Sequence, residues 1–428
     1  MKRLYVIALV LLVSAQISAQ TAPANYATAL NKFKQFYNSN KPDSVYAMFS
    51  PELKASIPAD KWNSTTTQLK TQLGTLGLTE FVEYTAPTAI YKSVFANITF
   101  LLNLSLDGKG KLTQIFFKPY KDPSINIPVD ASVAESPVSL KTLSGTLSGT
   151  LAMPKGVSGK VPVVLIIAGS GPTDRDGNNN MGSLSGNTYK MLANELGKSG
   201  IASLRYDKRM IGQSISSTKT KELRFDDYVD DAVGLINLLN DDQRFSKVIV
   251  LGHSEGSLVG MLSCRDQPVK AFISVAGAGQ SADKIMTEQM KSQPKYIADN
   301  FKTMLDSLKK GKFTPSIDPK IYAIAGPDMQ PYLASWFRYD PTREIKKIKL
   351  PMLILQGTTD IQVTVADAEK LKKAAPSDAK LVIIPGMNHV LKEAPADRAL
   401  NGATYTQPSL PLKPELVSSI VDFVKGLK

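Results

Sequence analysis

A serine flanked two residues away on each side by a glycine, Gly252-His253-Ser254-Glu255-Gly256, follows directly on the apolar run Val248-Ile249-Val250-Leu251 and opens a helical stretch. No other stretch restricts the fold as much. A continuous apolar run of this kind suits a strand buried on both faces. The two glycines permit a sharp strand-to-helix turn that leaves a serine hydroxyl exposed at the end of a sheet. A serine is a poor nucleophile until a base takes its proton, and histidine is the usual base near neutral pH. The chain has only two histidines. His253 precedes the serine in such a turn and points away from it, which makes it a poor base. His389 remains, just after the strand-like run Leu381-Val382-Ile383-Ile384.

Around the pentad, strand and helix patterns alternate. Apolar runs at residues 163–168, 201–206, 247–251, 269–275, 352–356 and 381–384 are separated by amphipathic stretches. These lie near 185–198, 225–240, after Glu255, near 365–374 and, last, near 414–427. Alternation of this kind predicts an α/β fold, a mostly parallel sheet with helices on both faces. Residues about 280–345 interrupt it with helical character and form an expected cap insertion. Ligands of α/β sheets bind over the C-terminal strand ends, so Trp336 and Phe337 in this insertion are candidates for substrate binding and for setting acyl-chain preference.

Residues 23–120 follow another pattern. Tyr26, Leu30, Phe33 and Phe36 have helical spacing, and Pro42, Pro51 and Pro58 punctuate short helices. Ile98, Phe100, Leu102, Leu104 and Leu106 then alternate with mostly polar residues, and Asp107-Gly108-Lys109-Gly110 leads into a further strand, the signature of a hairpin. Helices followed by antiparallel strands predict a small α+β accessory domain. Proline-rich residues 121–137 read as a linker, and residues 138–428 as the α/β domain.

Lys2 and Arg3, the apolar residues 4–13 and the small residues up to Ala19 read as a cleavable signal peptide, residues 1–19. The apolar stretch is shorter than the roughly 20 residues of a membrane span. These features predict a periplasmic or secreted protein of a Gram-negative bacterium without a stable membrane anchor. Cys264 is the only cysteine, which excludes an intramolecular disulfide framework and a cysteine-based metal site. The formal net charge of +13 comes from dispersed lysines, without the aromatic-interleaved basic stripe of a nucleic-acid binder. It is read as a solubility feature, and no nucleic-acid partner is expected. No histidine–carboxylate cluster points to a metal, the glycine-rich residues 169–171 lack phosphate-cradle spacing, and no cofactor is expected.

The string Gly169-Ser170-Gly171-Pro172-Thr173-Asp174-Arg175-Asp176-Gly177-Asn178 follows the first apolar run. With the pentad and the late histidine, it makes residues 140–428 resemble the α/β-hydrolase superfamily, in particular bacterial secreted esterases and serine aminopeptidase-like members. The order serine, acid, histidine in that superfamily implies Asp360, in Gly357-Thr358-Thr359-Asp360 after a strand, as the acid that orients His389. It also implies that the backbone N–H groups of Ser170 and Glu255 form an oxyanion hole. Relatives often carry a histidine where this chain has Ala168, so something else must hold the 169–171 loop. Asp207 and Arg209, in a stretch resembling the family's D-x-R-x-x-G-x-S pattern, are expected to be loop scaffolding. Asp174, Arg175 and Asp176 are expected to form an internal ion pair that rigidifies the loop, with contact to substrate as the alternative.

The activity implied by the resemblance is hydrolysis of carboxylic esters, with a small-molecule ester or acylated glycan as substrate. A serine aminopeptidase is the alternative; it needs an acid to receive a free amine, for which Glu255 and the cap acids are candidates. A catalytically silent envelope-binding protein is the third reading.

Overall fold

The computed structural model describes residues 22–96, 99–120, 127–179, 184–291, 293–315, 317–318 and 321–428. The expected signal peptide, Ile98 and residues 121–126 of the expected linker lie outside the described residues. The chain divides into two compact units, one up to Lys121 and one from Asp122.

In the first unit four helices, α1 (Ala24–Asn38), α2 (Pro42–Tyr46), α3 (Pro51–Ser56) and α4 (Ala59–Leu73), precede four strands, β1 (Leu76–Thr85), β2 (Thr88–Phe95), β3 (Thr99–Leu106) and β4 (Leu112–Pro119). The strands pair antiparallel in sequence order. Tyr26, Leu30, Phe33 and Tyr37 form one face of α1 and are buried with Leu102 and Leu104 of β3. The Asp107 carboxylate accepts the N–H groups of Lys109 and Lys111, each at 2.8 Å, and closes the β3–β4 turn.

In the second unit the described residues form a nine-stranded sheet. Its strands are β5 (Val133–Thr142), β6 (Gly145–Pro154), β7 (Val161–Ile167), β8 (Ala202–Tyr206), β9 (Ile215–Ser216), β10 (Phe245–His253), β11 (Ala271–Val275), β12 (Met352–Gly357) and β13 (Lys380–Ile384). The order is β13-β12-β11-β10-β7-β8-β6-β5, with β9 beside β6; β7, β8 and β10 to β13 are parallel and the β5–β6 end is antiparallel. The α/β expectation holds. The linker boundary does not, because residues 133–137 already belong to β5. Pro137 tolerates strand geometry there because β5 ends the strand order, where a missing N–H costs no ladder bond.

Helices α5 (Thr188–Lys198), α6 (Phe225–Asp241) and α7 (Glu255–Ser263) follow β7, β9 and β10. Among the described residues, five helices fill the insertion: α8 (Ala282–Met290), α9 (Lys295–Leu308), α10 (Tyr322–Ala325), α11 (Gln330–Trp336) and α12 (Pro341–Ile345). Then come α13 (Val365–Ala374), α14 (Arg398–Ala403) and α15 (Pro414–Lys425).

Side chains alternate across a strand, and β10 divides accordingly. Val248 and Val250 pack into one core with α6, α7 and the insertion, while Ile249 and Leu251 pack into the other with α5 and α15. Burying each such side chain is worth about 1.5–3 kcal/mol, so the central strand is held from both faces. The chain leaves β7 toward β8 on one side and returns to β10 on its other side. The loops after β7 and β10 therefore diverge at a strand-order reversal, where the crevice of an open α/β sheet forms.

Candidate active site

Ser254 occupies the turn between β10 and α7 with φ 55° and ψ −119°. Positive φ costs a residue with a Cβ on the order of 1–3 kcal/mol, so the surrounding packing must impose it. The flanking glycines make room for that packing. A Cβ on Gly252 would overlap the Gly256 carbonyl, and a Cβ on Gly256 would overlap the Ile167 carbonyl of neighbouring β7. The Ser254 N–H donates to the Val275 carbonyl at 2.9 Å and ties the turn to β11.

His389 comes from the loop after β13. Its Nε2 lies 3.1 Å from Ser254 Oγ, and its Nδ1 lies 2.8 Å from Asp360 Oδ2. Asp360 follows β12, with its other oxygen accepting the N–H groups of Gln362 at 2.8 Å and Val363 at 3.0 Å; Gln356 Nε2 reaches Oδ2 at 3.1 Å. Burial alone would raise the Asp360 pKa, but His389 and these backbone donors outweigh it and hold the carboxyl below its ordinary value. The His389 loop is fixed by a buried lysine: Lys392 Nζ donates to the carbonyls of Gly186 at 2.8 Å and Gln407 at 2.7 Å, and burial pulls its pKa down to about 8. The structure thus gathers Ser254, Asp360 and His389 from three strand ends.

His253 points away from Ser254 Oγ, and its ring is buried. Its Nε2 lies 2.8 Å from the His389 carbonyl and its Nδ1 2.8 Å from the Tyr189 hydroxyl, which itself accepts the Gly169 N–H at 3.0 Å. The donors run in one direction. Gly169 N–H donates to the Tyr189 oxygen, Tyr189 O–H donates to Nδ1, and Nε2–H donates to the His389 carbonyl. This sequence needs a neutral imidazole, and burial, followed by the nearness of His389, pulls the His253 pKa down to about 3. A depressed histidine contributes stability that is fully present above its unfolded value of about 6.5 and is lost as pH falls toward the folded one. Between pH 7 and 4.5 the parent is expected to lose on the order of 2–3 kcal/mol more than His253→Gln, whose amide can accept from Tyr189 and donate to His389. Urea unfolding at the two pH values measures this, and equal losses would show that His253 is not held neutral.

Gly169 lies directly behind Ser254 and His253. Besides Tyr189, its loop is held by Lys208, whose Nζ donates to the carbonyls of Gly169 at 3.0 Å and Gly171 at 3.3 Å and to Glu255 Oε1 at 2.9 Å. Tyr332 of α11 donates to Glu255 Oε2 at 2.7 Å, and the ammonium lies 4.3 Å from the Tyr228 ring centroid. Burial opposes the charge on Lys208, but Glu255 and Tyr228 outweigh it and raise its pKa. These contacts hold the loop in the absence of a histidine at Ala168. Sequence reasoning missed Tyr189 and Lys208, and it read Tyr332 as a pocket-lining candidate of the insertion rather than as a partner of Glu255. The departure at Ala168 signalled that some anchor was needed, but nothing in the order of residues identified it.

The ion pairs that hold the 174–176 loop run to the end of β8 rather than between neighbours in the loop. Arg175 bonds Asp207 at 2.7 Å and Asp176 bonds Arg205 at 2.8 Å, while Asp174 accepts the N–H groups of Asp176 and Asn178 at 2.9 Å. Arg205 and Asp207 stand at the end of β8, which brings opposite charges closer than loop neighbours do. Arg209 reaches Asp231 at 2.7 Å and Asp227 at 3.2 Å, a scaffolding arrangement.

A cavity of about 60 Å³ beside Ser254 is lined by Ser170, Thr173, Leu184, Thr188, Gln362 and Val390, together with the histidines and nearby backbone. Trp336 and Phe337 do not line it, contrary to their expected role. Trp336 stacks on Phe225 with centroids 5.7 Å apart and planes at 4°, and both residues pack against the core. Aromatic surface in the insertion is used to dock it onto α6. Cap acids are likewise engaged, with Asp283 bonding Lys309 at 2.7 Å and Glu344 bonding Arg265 at 3.2 Å. Among the described residues, no group of three or more His, Cys, Asp or Glu side chains could hold a metal ion.

The family model described as serine aminopeptidase, S33, matches residues 181–321, a stretch that contains Ser254 but neither Asp360 nor His389. Esterase EstD of Thermotoga maritima is 26% identical over 374 residues, spanning 84% of this chain and 86% of its own length. Among solved structures, Est1E from Butyrivibrio proteoclasticus with ferulic acid bound is 18% identical, with 67% of this chain and 99% of that chain covered and a TM-score of 0.44. The Pyrococcus furiosus esterase Pf2001 is 17% identical, with 72% and 97% covered and a TM-score of 0.47. The reversal of strand order at β7, the strained serine turn on its neighbour β10 and the long similarity to a bacterial esterase are features that this chain shares with α/β hydrolases of the esterase-like kind.

Proposed function

We propose that the chain is a secreted serine hydrolase that cleaves carboxylic esters through an acyl-enzyme. The observation that carries this reading is the continuous path from Ser254 Oγ through His389 to Asp360, with links of 3.1 and 2.8 Å. His389 Nε2 takes the hydroxyl proton as Oγ attacks the ester carbonyl, and Asp360 holds Nδ1–H and stabilises the imidazolium. The N–H groups of Ser170 and Glu255 receive the negative charge that develops on the carbonyl oxygen. His389 then gives its proton to the departing alkoxide. Water, deprotonated by the same ring, attacks the acyl-serine and releases the carboxylic acid, and the proton returns to Ser254.

An ester is favoured over an aminoacyl peptide by the acids. Glu255 is buried and paired with Lys208 and Tyr332, and among the described residues no carboxylate lines the cavity beside Ser254 to receive a free ammonium. The export reading rests on Lys2, Arg3 and the apolar residues that follow, and it makes small esters or acylated envelope glycans the accessible substrates. The test pairs p-nitrophenyl esters of graded length with aminoacyl p-nitroanilides, alongside fluorophosphonate labelling. Turnover of esters but not of anilides, with the label on Ser254, is the expected result. Preferential anilide turnover would overturn the ester reading, and no labelling would overturn the serine mechanism.

A further inference from the structure

We propose that Lys208 is a positioning residue for the oxyanion hole, a single buried ammonium that sets both backbone donors against Ser254. This inference rests on the ester-hydrolase reading above. The C=O of Gly169 and the N–H of Ser170 belong to the same peptide group, which is planar and trans, so the two point in opposite directions. An ammonium that anchors the Gly169 oxygen from behind at 3.0 Å therefore turns the Ser170 N–H to the other side, the side of the cavity that Ser170 and Ser254 share. The bond to the Gly171 carbonyl at 3.3 Å fixes the far end of the same loop. The third Nζ proton goes to Glu255 Oε1 at 2.9 Å, and Glu255 is the residue whose own N–H is the second donor.

All three donors of the ammonium are thereby used, and each acceptor belongs to a segment that carries or flanks an oxyanion donor. The side chains of Lys208 and Glu255 are 5% and 1% exposed, so solvent neither screens the pair nor replaces a lost bond. Tyr189 acts from the other face by accepting the Gly169 N–H, which leaves the Gly169 backbone held at both its N–H and its C=O. A lysine needed only to neutralise Glu255 would have no reason to span two carbonyls of a different loop.

The test compares Lys208→Met with Lys208→Met/Glu255→Gln, measuring melting temperature, kcat and KM for a short p-nitrophenyl ester. It adds the affinity for an alkyl trifluoromethyl ketone, whose serine adduct places an oxyanion in the hole. Lys208→Met leaves Glu255 as an uncompensated buried carboxylate and is expected to lower the melting temperature. The double variant removes that charge and recovers stability. If Lys208 positions the donors, kcat stays down by about 10²-fold in the stable double variant, KM changes little and ketone affinity falls in step with kcat/KM. If kcat and ketone affinity return together with stability, Lys208 is only a counter-ion and the proposal is overturned. A parent enzyme inactive on all esters would overturn the ester reading instead, so the two failures are distinguishable.

Discussion

Replacing Ser254 with alanine is expected to reduce ester turnover by on the order of 10⁶-fold while leaving the melting temperature close to that of the parent. Alanine carries a Cβ as serine does, so the positive φ of the turn is no worse than before, and only one hydrogen bond, to His389, is lost. The two threonine hydroxyls of the cavity are already engaged elsewhere. Thr173 Oγ1 donates to the Ser170 carbonyl at 3.1 Å and Thr188 Oγ1 donates to the Val390 carbonyl at 3.2 Å, which leaves each proton on a carbonyl and away from a base. Steady-state kinetics with a p-nitrophenyl ester, at protein concentrations high enough to detect residual turnover, provide the check. Substantial hydrolysis by the purified, folded variant would remove Ser254 from the mechanism.

Substitutions at the other two positions should separate the base from its support. His389→Ala is expected to match Ser254→Ala, whereas Asp360→Asn should cost about 10⁴-fold. An asparagine amide can donate to Nδ1, and that donation stabilises the tautomer with its proton on Nε2, facing a serine that needs a base. Asp360 also anchors its loop by accepting from Gln362 and Val363, bonds that the asparagine oxygen can keep. The fold should therefore survive, with the loss appearing in kcat. An Asp360→Asn enzyme with near-parental kcat would mean that His389 is oriented by other contacts.

The architecture was legible wherever the pattern was long and local. Strand β10 is apolar on both faces because it is buried on both, and its glycine-flanked serine marks the turn where β7 packs closest. That Asp360 and His389 meet near Ser254 was legible because the resemblance implied an acid after that strand, and because the scarcity of histidine left only one placement for a base. Partnerships between distant charges were not legible. Arg175 pairs with Asp207 across 32 positions rather than with a loop neighbour, and Lys208 meets Glu255 across 47. A residue order gives the sign of a charge but not which strand end stands beside it. Trp336 and Phe337 were misread for a related reason. An aromatic residue in an insertion has the same local pattern whether it faces a ligand or docks the insertion, and stacking on Phe225 is settled only when α11 meets α6. The linker boundary failed because Pro137 argues against a strand unless that strand lies at the end of a sheet.

The distribution of the site over the sheet also bears on when activity can arise during synthesis. The turn that carries Ser254 lies on a central strand, but the proposed base, His389, follows β13, the strand at the far end of the order and the last of the sheet to be made. A nascent chain that has reached α7 already contains the serine and its glycines, yet another 126 residues must be added before His389 exists, counting from Ser263 to His389. On the proposed mechanism, catalytic competence is therefore a late event in assembling this domain, with only α14 and α15 still to follow. A chain interrupted or clipped anywhere before that point is expected to retain an unactivated Ser254 hydroxyl. Reactivity toward a fluorophosphonate thus marks chains whose sheet has been completed to its last strand, and it can serve as a readout of maturation.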